Sequence, residues 1–301
     1  MIRSLGLATE PVHASTGVLM GLVGEGVLPS LTPLLQMEEG RAQGLNLVDR
    51  AIDFDASGSS GFGAEKLADV LDWAERLGFS ALNITYPCKQ AVIPLLDSLD
   101  PVAAAVGAVN TVLFTADGRV GLNTDTTGFE RAFRAELDDV RRGRVVQLAA
   151  GGAGAAVADA LMRSGAEELV IVDLDSDRAR SLAKSVSERH GRAAVPASPD
   201  DLADLLRTAD GIVNCSPIGM HNHPGAPFDL TLLHARHWVA DIVYRPLRTE
   251  LLRAASAAGC RTMHGGHMAV GQAADTFHLV TGRAPDLPRM HRHFEELIAT
   301  P

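Results

Sequence analysis

The sequence predicts an α/β protein with two domains and largely parallel sheets. Two observations support this fold class: short apolar runs alternate with amphipathic stretches along the chain, and 29 glycines among 301 residues supply frequent tight turns. A chain of this length is sufficient for two domains of ordinary size. Hydrophobic residues make up 46% of the sequence and charged residues 21%, a balance typical of globular proteins.

The first half of the chain alternates strands and helices. The apolar stretch Val18–Leu28 is interrupted by glycines, which favours a buried strand and turn over a signal peptide, and residues 1–17 are expected to be a loose extension. The expected elements, in order, are a strand over 21–23, a helix from the turn at 29–33 to about 43, a strand over 48–53, a helix over 64–77, a strand over 81–85, a helix that begins at 91–96, and a hairpin of 108–114 with 118–120.

A second unit is expected to start near Thr126. Its expected elements, in order, are a helix over 127–137, a strand over 145–148, a helix that ends at 164, strands over 169–172, 211–214 and 238–243, and helical structure over 262–301. We therefore expect one domain over residues 18–124 plus 262–301 and a second domain over residues 125–261.

Charge and cysteine content exclude several classes of protein. The net charge of −10 and the lack of a basic stripe argue against a nucleic-acid partner. Cys88, Cys215 and Cys260 are too few and too scattered for a disulfide framework, which favours a reducing cytoplasm. No segment has the roughly 18 apolar residues that a membrane span needs.

A glycine cluster between a strand and a helix indicates a dinucleotide site, because backbone N–H groups and a helix N-terminus can meet a pyrophosphate there. The cluster consists of Gly151, Gly152, Ala153 and Gly154. Ala149 stands where the usual pattern has its first glycine. A positive φ at this position would cost an alanine about 1–2 kcal/mol.

Asp173 ends the next strand at the distance expected for a residue that binds the ribose hydroxyls, and its charge disfavours a 2′-phosphate. NAD is therefore the expected cofactor, in preference to NADP. The alternative is that Asp173 only caps the following helix. Arg178 either lies along the adenosine or faces solvent.

Three segments carry the groups needed to bind a small polyhydroxylated carboxylic acid: residues 83–89, 107–111 and 123–125. Lys89 follows a proline after a short strand, where a side chain can be aimed, and Asp125 could orient it. A lysine acts as a base near neutral pH only if its pKa is depressed, which Asp125 would oppose. The alternative for Lys89 is a solvated surface residue.

Ser30 and Thr32 either point together at a ligand or cap the helix that follows.

The chain resembles the shikimate/quinate dehydrogenase family over about residues 21–282, and it is most similar to the NAD-preferring quinate/shikimate branch. The motifs that carry the resemblance are Ser30-Leu31-Thr32-Pro33, residues 83–89, 107–111, 123–129 and 214–220, Asp241-Ile242-Val243-Tyr244-Arg245-Pro246, and residues 266–272.

The resemblance implies a substrate domain and a Rossmann-like, doubly wound dinucleotide domain with a cleft between them, in a monomer or homodimer. It implies reversible NAD-dependent oxidation at C3 of quinate or shikimate, within the shikimate pathway. The implied roles are a catalytic pair of Lys89 and Asp125, substrate binding by Ser30, Thr32, Thr85, Asn110 and Gln272, adenosine binding by Asp173 and Arg178, and nicotinamide contacts by Val243 and Met268.

Some residues depart from the family pattern. Besides Ala149, Gln36 replaces a common histidine and Asp49 a common tyrosine.

Two alternative functions stay open: a dehydrogenase for aminated shikimate or quinate, and a catalytically idle relative that senses such acids. The histidine pairs at 221 and 223 and at 264 and 267 lack further ligands at metal spacing, so no metal is expected.

Overall fold

The computed structural model describes residues 17–55 and 61–299 of the chain. The extension expected over residues 1–17 lies outside the described residues apart from Gly17. The chain divides into two compact units, each built around one sheet. The pairing within both sheets is mainly parallel, which confirms the predicted α/β class.

The first unit comprises the described residues of Met1–Ala104, Val109–Asn123 and Ala273–His293. The strands in this part of the chain are β1 (Val18–Glu25), β2 (Leu47–Phe54), β3 (Ala81–Ile84), β4 (Ser98–Leu99), β5 (Thr111–Thr115) and β6 (Gly118–Leu122). The helices are α1 (Thr32–Ala42), α2 (Leu67–Arg76), α3 (Cys88–Ala91) and α4 (Pro101–Val106).

The sheet of the first unit has the order β2-β1-β3-β5-β6-β4. Strand β1 lies parallel to both β2 and β3, whereas β5 runs antiparallel to β3 and β6. Helix α2 buries Leu67, Val70, Leu71 and Ala74, the i, i+3, i+4, i+7 spacing of one helical face. Because β1, β2 and β3 run parallel, their carboxyl ends lie at one edge of the sheet, where side chains from successive loops can meet.

The second unit comprises Ala105–Ala108, Thr124–Gln272 and the described residues of Phe294–Pro301. The helices that start in this part of the chain are α5 (Thr124–Leu137), α6 (Gly152–Arg163), α7 (Ser176–His190), α8 (Leu202–Leu206), α9 (Glu250–Ala257) and α10 (Gly265–Thr281); α11 (Leu287–Ala299) ends in it. The strands are β7 (Arg144–Leu148), β8 (Glu168–Val172), β9 (Ala193–Ala197), β10 (Gly211–Asn214), β11 (Trp238–Asp241) and β12 (Arg261–His264).

The sheet of the second unit is parallel throughout, with the order β12-β11-β10-β7-β8-β9. The strand order reverses between β7 and β10, which is the place where ligands bind in a doubly wound sheet. Its strands are apolar and buried, as expected for a parallel sheet with both faces covered; Val146, Val170, Ile212 and Val239 belong to one core cluster.

Several boundaries differ from those expected from the sequence. The helix expected to begin at residues 91–96 is absent there: a single turn, α3, covers Cys88–Ala91 and contains Lys89, and Ile93–Leu95 form a short 3-10 helix. The helix expected from 127 begins at Thr124, which places Asp125 in its first turn. The strand expected to reach 243 ends at Asp241, because the Asp241 carboxylate accepts a hydrogen bond from the Val243 N–H and the chain turns there.

The region expected to be helical over 262–301 was assigned wrongly at its start. Residues 261–264 form β12, which pairs in parallel with β11. Four residues give too short a pattern for periodicity to identify a strand, and pairing with β11 decides the conformation. The hairpin expected near Asp117 is confirmed: Thr115 pairs with Gly118, whose φ of +110° suits glycine.

No helix within residues 17–55 and 61–299 combines the length and apolar character that crossing a bilayer requires.

Candidate active site

The loop that follows β1 is fixed by the carboxylate of Asp53, which lies near the end of the neighbouring strand β2. Asp53 accepts a hydrogen bond from the backbone N–H of Gly26 at 2.7 Å and one from Leu28 at 3.2 Å. This loop leads directly to Ser30 and Thr32. Sequence reasoning missed Asp53, although an acidic residue near the carboxyl end of a strand is a recognisable signal.

Ser30 and Thr32 lie at the start of α1, where the N-cap residue Leu31 provides no capping side chain. The Ser30 hydroxyl accepts a long hydrogen bond of 3.4 Å from the Thr32 N–H. Both residues are half-buried. Two hydroxyls beside a helix N-terminus form a surface that suits a carboxylate ligand.

Backbone hydrogen bonds hold Thr85 against the end of β1 and Lys89 against the segment before β5. The Thr85 N–H donates to the Val23 carbonyl at 2.9 Å, and a Cβ on Gly24 would lie 2.5 Å from Thr85 Cγ2. The Lys89 carbonyl accepts a hydrogen bond of 2.8 Å from the Val109 N–H, the residue before Asn110. The turn from β3 into α3 and the segment that enters β5 are therefore joined by a backbone hydrogen bond at Lys89.

Asn110 belongs to a buried polar cluster. Its side-chain oxygen accepts a hydrogen bond from the Thr111 hydroxyl at 3.1 Å, and the Asn83 amide donates to Thr111 at 3.2 Å and to Thr276 at 3.4 Å. Thr276 lies on α10, one turn after Gln272. The first unit thus places five predicted site residues in the loops and first helical turns after β1 and β3 and in the segment that enters β5: Ser30, Thr32, Thr85, Lys89 and Asn110.

Helices α5 and α10 pack closely within the second unit, at Gly128 and Gln272. A Cβ on Gly128 would lie only 2.6 Å from the backbone nitrogen of Gln272, and one on Gly271 only 2.9 Å from Gly128 Cα. Because Asp125 lies one turn before Gly128 on α5, its turn faces the turn of α10 that carries Gln272. Asp125 is buried, and the Gln272 amide donates to the Ala269 carbonyl at 3.0 Å.

The glycine-rich segment connects β7 to α6. Ala149 has a φ of +76°, the only positive value for a non-glycine residue within 17–55 and 61–299. A Cβ on Gly154 would lie 2.4 Å from the Ala149 carbonyl oxygen, whereas a Cβ on Gly151 would meet nothing within 4 Å. The N-cap Gly151 leaves α6 without a side-chain cap. The segment therefore has open space at Gly151 and an uncapped helix N-terminus, the two features that a pyrophosphate site needs.

The Asp173 carboxylate faces this segment. It accepts a hydrogen bond from the Ala150 N–H at 2.7 Å and one from the Asp175 N–H at 2.8 Å. Asp173 is not the helix cap, because Asp175 caps α7 by accepting from the N–H groups of Asp177 and Arg178. Arg178 is exposed, and its Nε lies 3.3 Å from the Asp175 carboxylate.

Val243 and Met268 follow β11 and β12 respectively, and both are buried. They belong to the second unit, as do Asp173 and the glycine-rich segment. Within the described part of the chain, no group of three or more histidine, cysteine, aspartate or glutamate side chains could hold a metal ion.

Known proteins share both the sequence and the fold. Residues 22–112 match the family model described as the shikimate dehydrogenase substrate binding domain. A shikimate dehydrogenase (NADP(+)) of Pseudarthrobacter chlorophenolicus is 51% identical, covering 93% of this chain and 95% of that protein. A quinate/shikimate dehydrogenase (NAD(+)) of Corynebacterium glutamicum is 46% identical, covering 93% of this chain and 99% of that protein.

Among solved structures, quinate dehydrogenase from Corynebacterium glutamicum in complex with NAD superimposes with a TM-score of 0.86 and 45% identity. The match covers 94% of this chain and 100% of that one. Two relatives of such identity over nearly the whole chain confirm the resemblance found in the motifs. This protein is an oxidoreductase that belongs to the shikimate/quinate dehydrogenase family.

Proposed function

We propose that this protein oxidises the C3 hydroxyl of quinate, shikimate or both, reversibly, with NAD as the hydride acceptor. A pyridine nucleotide agrees with the names of the relatives, which include both NAD- and NADP-dependent enzymes. The choice of NAD therefore depends on one observation in this chain: a carboxylate, Asp173, lies at the end of β8 beside the glycine-rich segment.

The charges around Asp173 favour a ribose without a 2′-phosphate. The nearby cations are already paired, Arg178 with Asp175 and Arg180 with Asp177. No ion pair to Asp173 occurs among the described side chains. Two like charges about 4 Å apart repel by about 1–4 kcal/mol at effective dielectric constants of 80 to 20, which corresponds to roughly one to three orders of magnitude in affinity.

The residues of the second unit fit a dinucleotide. The open space at Gly151 and the uncapped start of α6 would receive the pyrophosphate, with Gly152, Ala153 and Gly154 in the first turn. Asp173 keeps lone pairs for the ribose hydroxyls, because a carboxylate accepts about four hydrogen bonds and only two backbone donors bind it. Val243 and Met268 would hold the nicotinamide, which would accept the hydride during oxidation and donate it during reduction.

The proton chemistry is assigned to Lys89 and Asp125. Lys89 takes the proton of the C3 hydroxyl during oxidation and returns it during reduction, while Asp125 orients the lysine or a neighbouring substrate hydroxyl. The substrate carboxylate binds at Ser30 and Thr32, beside the N-terminus of α1. The ring hydroxyls are assigned to Thr85, Asn110 and Gln272, which offer one hydroxyl and two carboxamides.

The three cysteines are free thiols, which supports a cytoplasmic location.

The test is a matrix of initial rates. Purified protein is assayed with quinate, shikimate and aminoshikimate, each with NAD and with NADP. We expect the highest kcat/KM for quinate or shikimate with NAD. A higher value with NADP would reject the cofactor assignment, and a higher value with aminoshikimate would reject the substrate assignment. Binding of the acids without turnover under any condition would instead identify a ligand sensor.

A further inference from the structure

Two segments of the second unit meet at one buried carboxylate, that of Asp241, and a third segment packs on the backbone beside it. They are residues 214–219 after β10, residues 241–249 after β11, and the start of α10 after β12. Asp241 itself is fully buried at the last position of β11, and its backbone neighbours on the sheet are Asn214 and His264.

The carboxylate joins the first two segments through three hydrogen bonds. Oδ1 accepts from the Asn214 side-chain amide and from the Val243 N–H, both at 3.0 Å. Oδ2 accepts from the Thr249 hydroxyl at 2.7 Å. Asn214 continues the network, because its amide also donates to the Ile218 carbonyl at 3.0 Å and its oxygen accepts from the Ser216 hydroxyl at 2.7 Å.

Two glycines allow the segments to approach this closely. Gly219 has a φ of +107°, and a Cβ there would lie 3.3 Å from Thr249 Cγ2. A Cβ on Gly265 would lie 2.1 Å from the Ile242 carbonyl oxygen and 2.7 Å from that of Val243. The start of α10, which leads to Met268, therefore rests directly on the backbone of residues 242–243.

The position of the network in the sheet determines which part of a dinucleotide it faces. The strand order reverses between β7 and β10, and a dinucleotide lies across that point at the carboxyl ends of the strands. The glycine-rich segment and Asp173 occupy the β7–β8 side, which takes the adenosine half. The β10–β11 side, where Asp241 lies, is left for the nicotinamide half.

Asp241 is held without a cation. No ion pair to Asp241 is present in the described part of the chain, and burial raises its pKa to about 6 although the three hydrogen bonds oppose this rise. A buried charge balanced only by neutral donors is unfavourable for stability. Such groups occur preferentially at functional sites, where geometry has to be fixed.

We propose that Asp241 is a positioning residue for the cofactor: by fixing the backbone around Val243 and the segment after β10, it shapes the pocket for the nicotinamide half and leaves the adenosine half unaffected. The proposal depends on the pyridine nucleotide of the proposed function. Asp241 acts through the loops, and no contact with the cofactor is assigned to its own side chain.

The test compares the dissociation constants of NAD and ADP-ribose, which lacks the nicotinamide. In Asp241→Asn, we expect binding of NAD to weaken by about tenfold and binding of ADP-ribose to change by less than about twofold. Thr249→Val removes one donor and should shift NAD binding in the same direction by about threefold. Thr249→Ser retains the hydroxyl and should bind both nucleotides like the wild type.

Asp159→Asn provides the matched control. Asp159 is also a buried carboxylate of the second unit, but it pairs with Arg189 and His190 at the end of α7. This variant should lose stability without changing the ratio of the two dissociation constants. If Asp241→Asn does not fold, the two Thr249 variants carry the test.

The inference is overturned if the ratio for NAD and ADP-ribose stays at its wild-type value in the folded Asp241 or Thr249→Val variant. A wild type that binds neither NAD nor NADP would overturn the proposed function instead. If the wild type prefers NADP, the same comparison is made with 2′-phosphorylated ADP-ribose.

Discussion

The Asp173 carboxylate and the backbone N–H of Ala150 form a hydrogen bond of 2.7 Å between the ends of two neighbouring strands. This contact ties the acidic residue after β8 to the glycine-rich segment after β7. The orientation of the carboxylate is therefore fixed before any nucleotide binds, so the discrimination against a 2′-phosphate that we propose would require no rearrangement of the protein.

Asp173→Asn tests this relationship. The asparagine oxygen can still accept the Ala150 N–H, but the negative charge is removed, so repulsion of a 2′-phosphate should disappear. We expect the ratio of kcat/KM for NAD to that for NADP to fall by at least about tenfold. Asp177→Asn, an exposed carboxylate on α7, should leave the ratio near its wild-type value. An unchanged ratio in Asp173→Asn would show that another residue selects the cofactor.

Ala149→Gly should stabilise the protein. A left-handed conformation costs an alanine about 1–2 kcal/mol, and the substitution removes this cost from the folded state. The greater conformational freedom of glycine in the unfolded chain offsets about 0.4–1 kcal/mol of that stabilisation. The free energy of unfolding, measured in urea, should therefore rise by up to about 1.5 kcal/mol. Ala150→Gly, at the next position and without a positive φ, should lower it. Equal effects of the two substitutions would argue against strain at Ala149.

Gly128→Ala should damage the contact between α5 and α10. The new Cβ would lie 2.6 Å from the Gln272 backbone nitrogen, so the helices must separate. We expect the KM for the acid substrate to rise by at least about fivefold and the free energy of unfolding to fall by about 1–3 kcal/mol, as for other overpacked sites. Arg134→Ala on the exposed side of α5 is the control and should change neither quantity appreciably.

Asp49 should make the stability of the protein depend on pH. Neither of its buried carboxylate oxygens has a hydrogen-bond partner of good geometry, and burial raises its pKa to about 7, with the Arg50 backbone N–H opposing this rise. Because the folded state binds the proton of the Asp49 carboxyl group more tightly than the unfolded state does, the contribution of this proton to the free energy of unfolding is complete below about pH 4. It is lost as the pH rises through about 7, by at most about 4 kcal/mol.

Asp49→Asn removes this titration and should reduce the fall in the free energy of unfolding between pH 5 and pH 8. The measurement is urea unfolding of both proteins at the two pH values. Identical pH dependence in the wild type and the variant would mean that Asp49 stays ionised in the folded protein.

The local structure around the proposed cofactor site could be predicted from the sequence. The glycine cluster, the position of Asp173 after the next strand and the consequence of a positive φ at Ala149 all depend on residues near one another in the chain. The motifs around Lys89, Asn110 and Asp125 were likewise recognisable, and the structure places the first two on loops of one sheet edge.

Contacts between distant segments could not be predicted in this way. Asp53 accepts hydrogen bonds from backbone N–H groups that lie 25 and 27 residues away in the sequence. Asp241 accepts one from the Asn214 side chain, which is also 27 residues away. Strand β12 was missed because its conformation depends on pairing with β11 and not on a local pattern. The apolar run from Ala91 predicts a continuous helix, whereas the chain forms one turn directly after Pro87, at Cys88–Ala91, and then a short 3-10 helix at Ile93–Leu95.

The role of Lys89 in proton transfer is the central claim, and the most direct test is the turnover of Lys89→Met alongside its affinity for the acid. We expect kcat for oxidation of the preferred acid to fall by about 100- to 10,000-fold, while the dissociation constant measured by calorimetry changes by less than about fivefold. Lys66→Met, at a half-buried lysine of the same unit that pairs with Asp69, should retain full activity. A Lys89→Met variant with kcat within twofold of the wild type would contradict the assignment of Lys89 as the proton-transfer group.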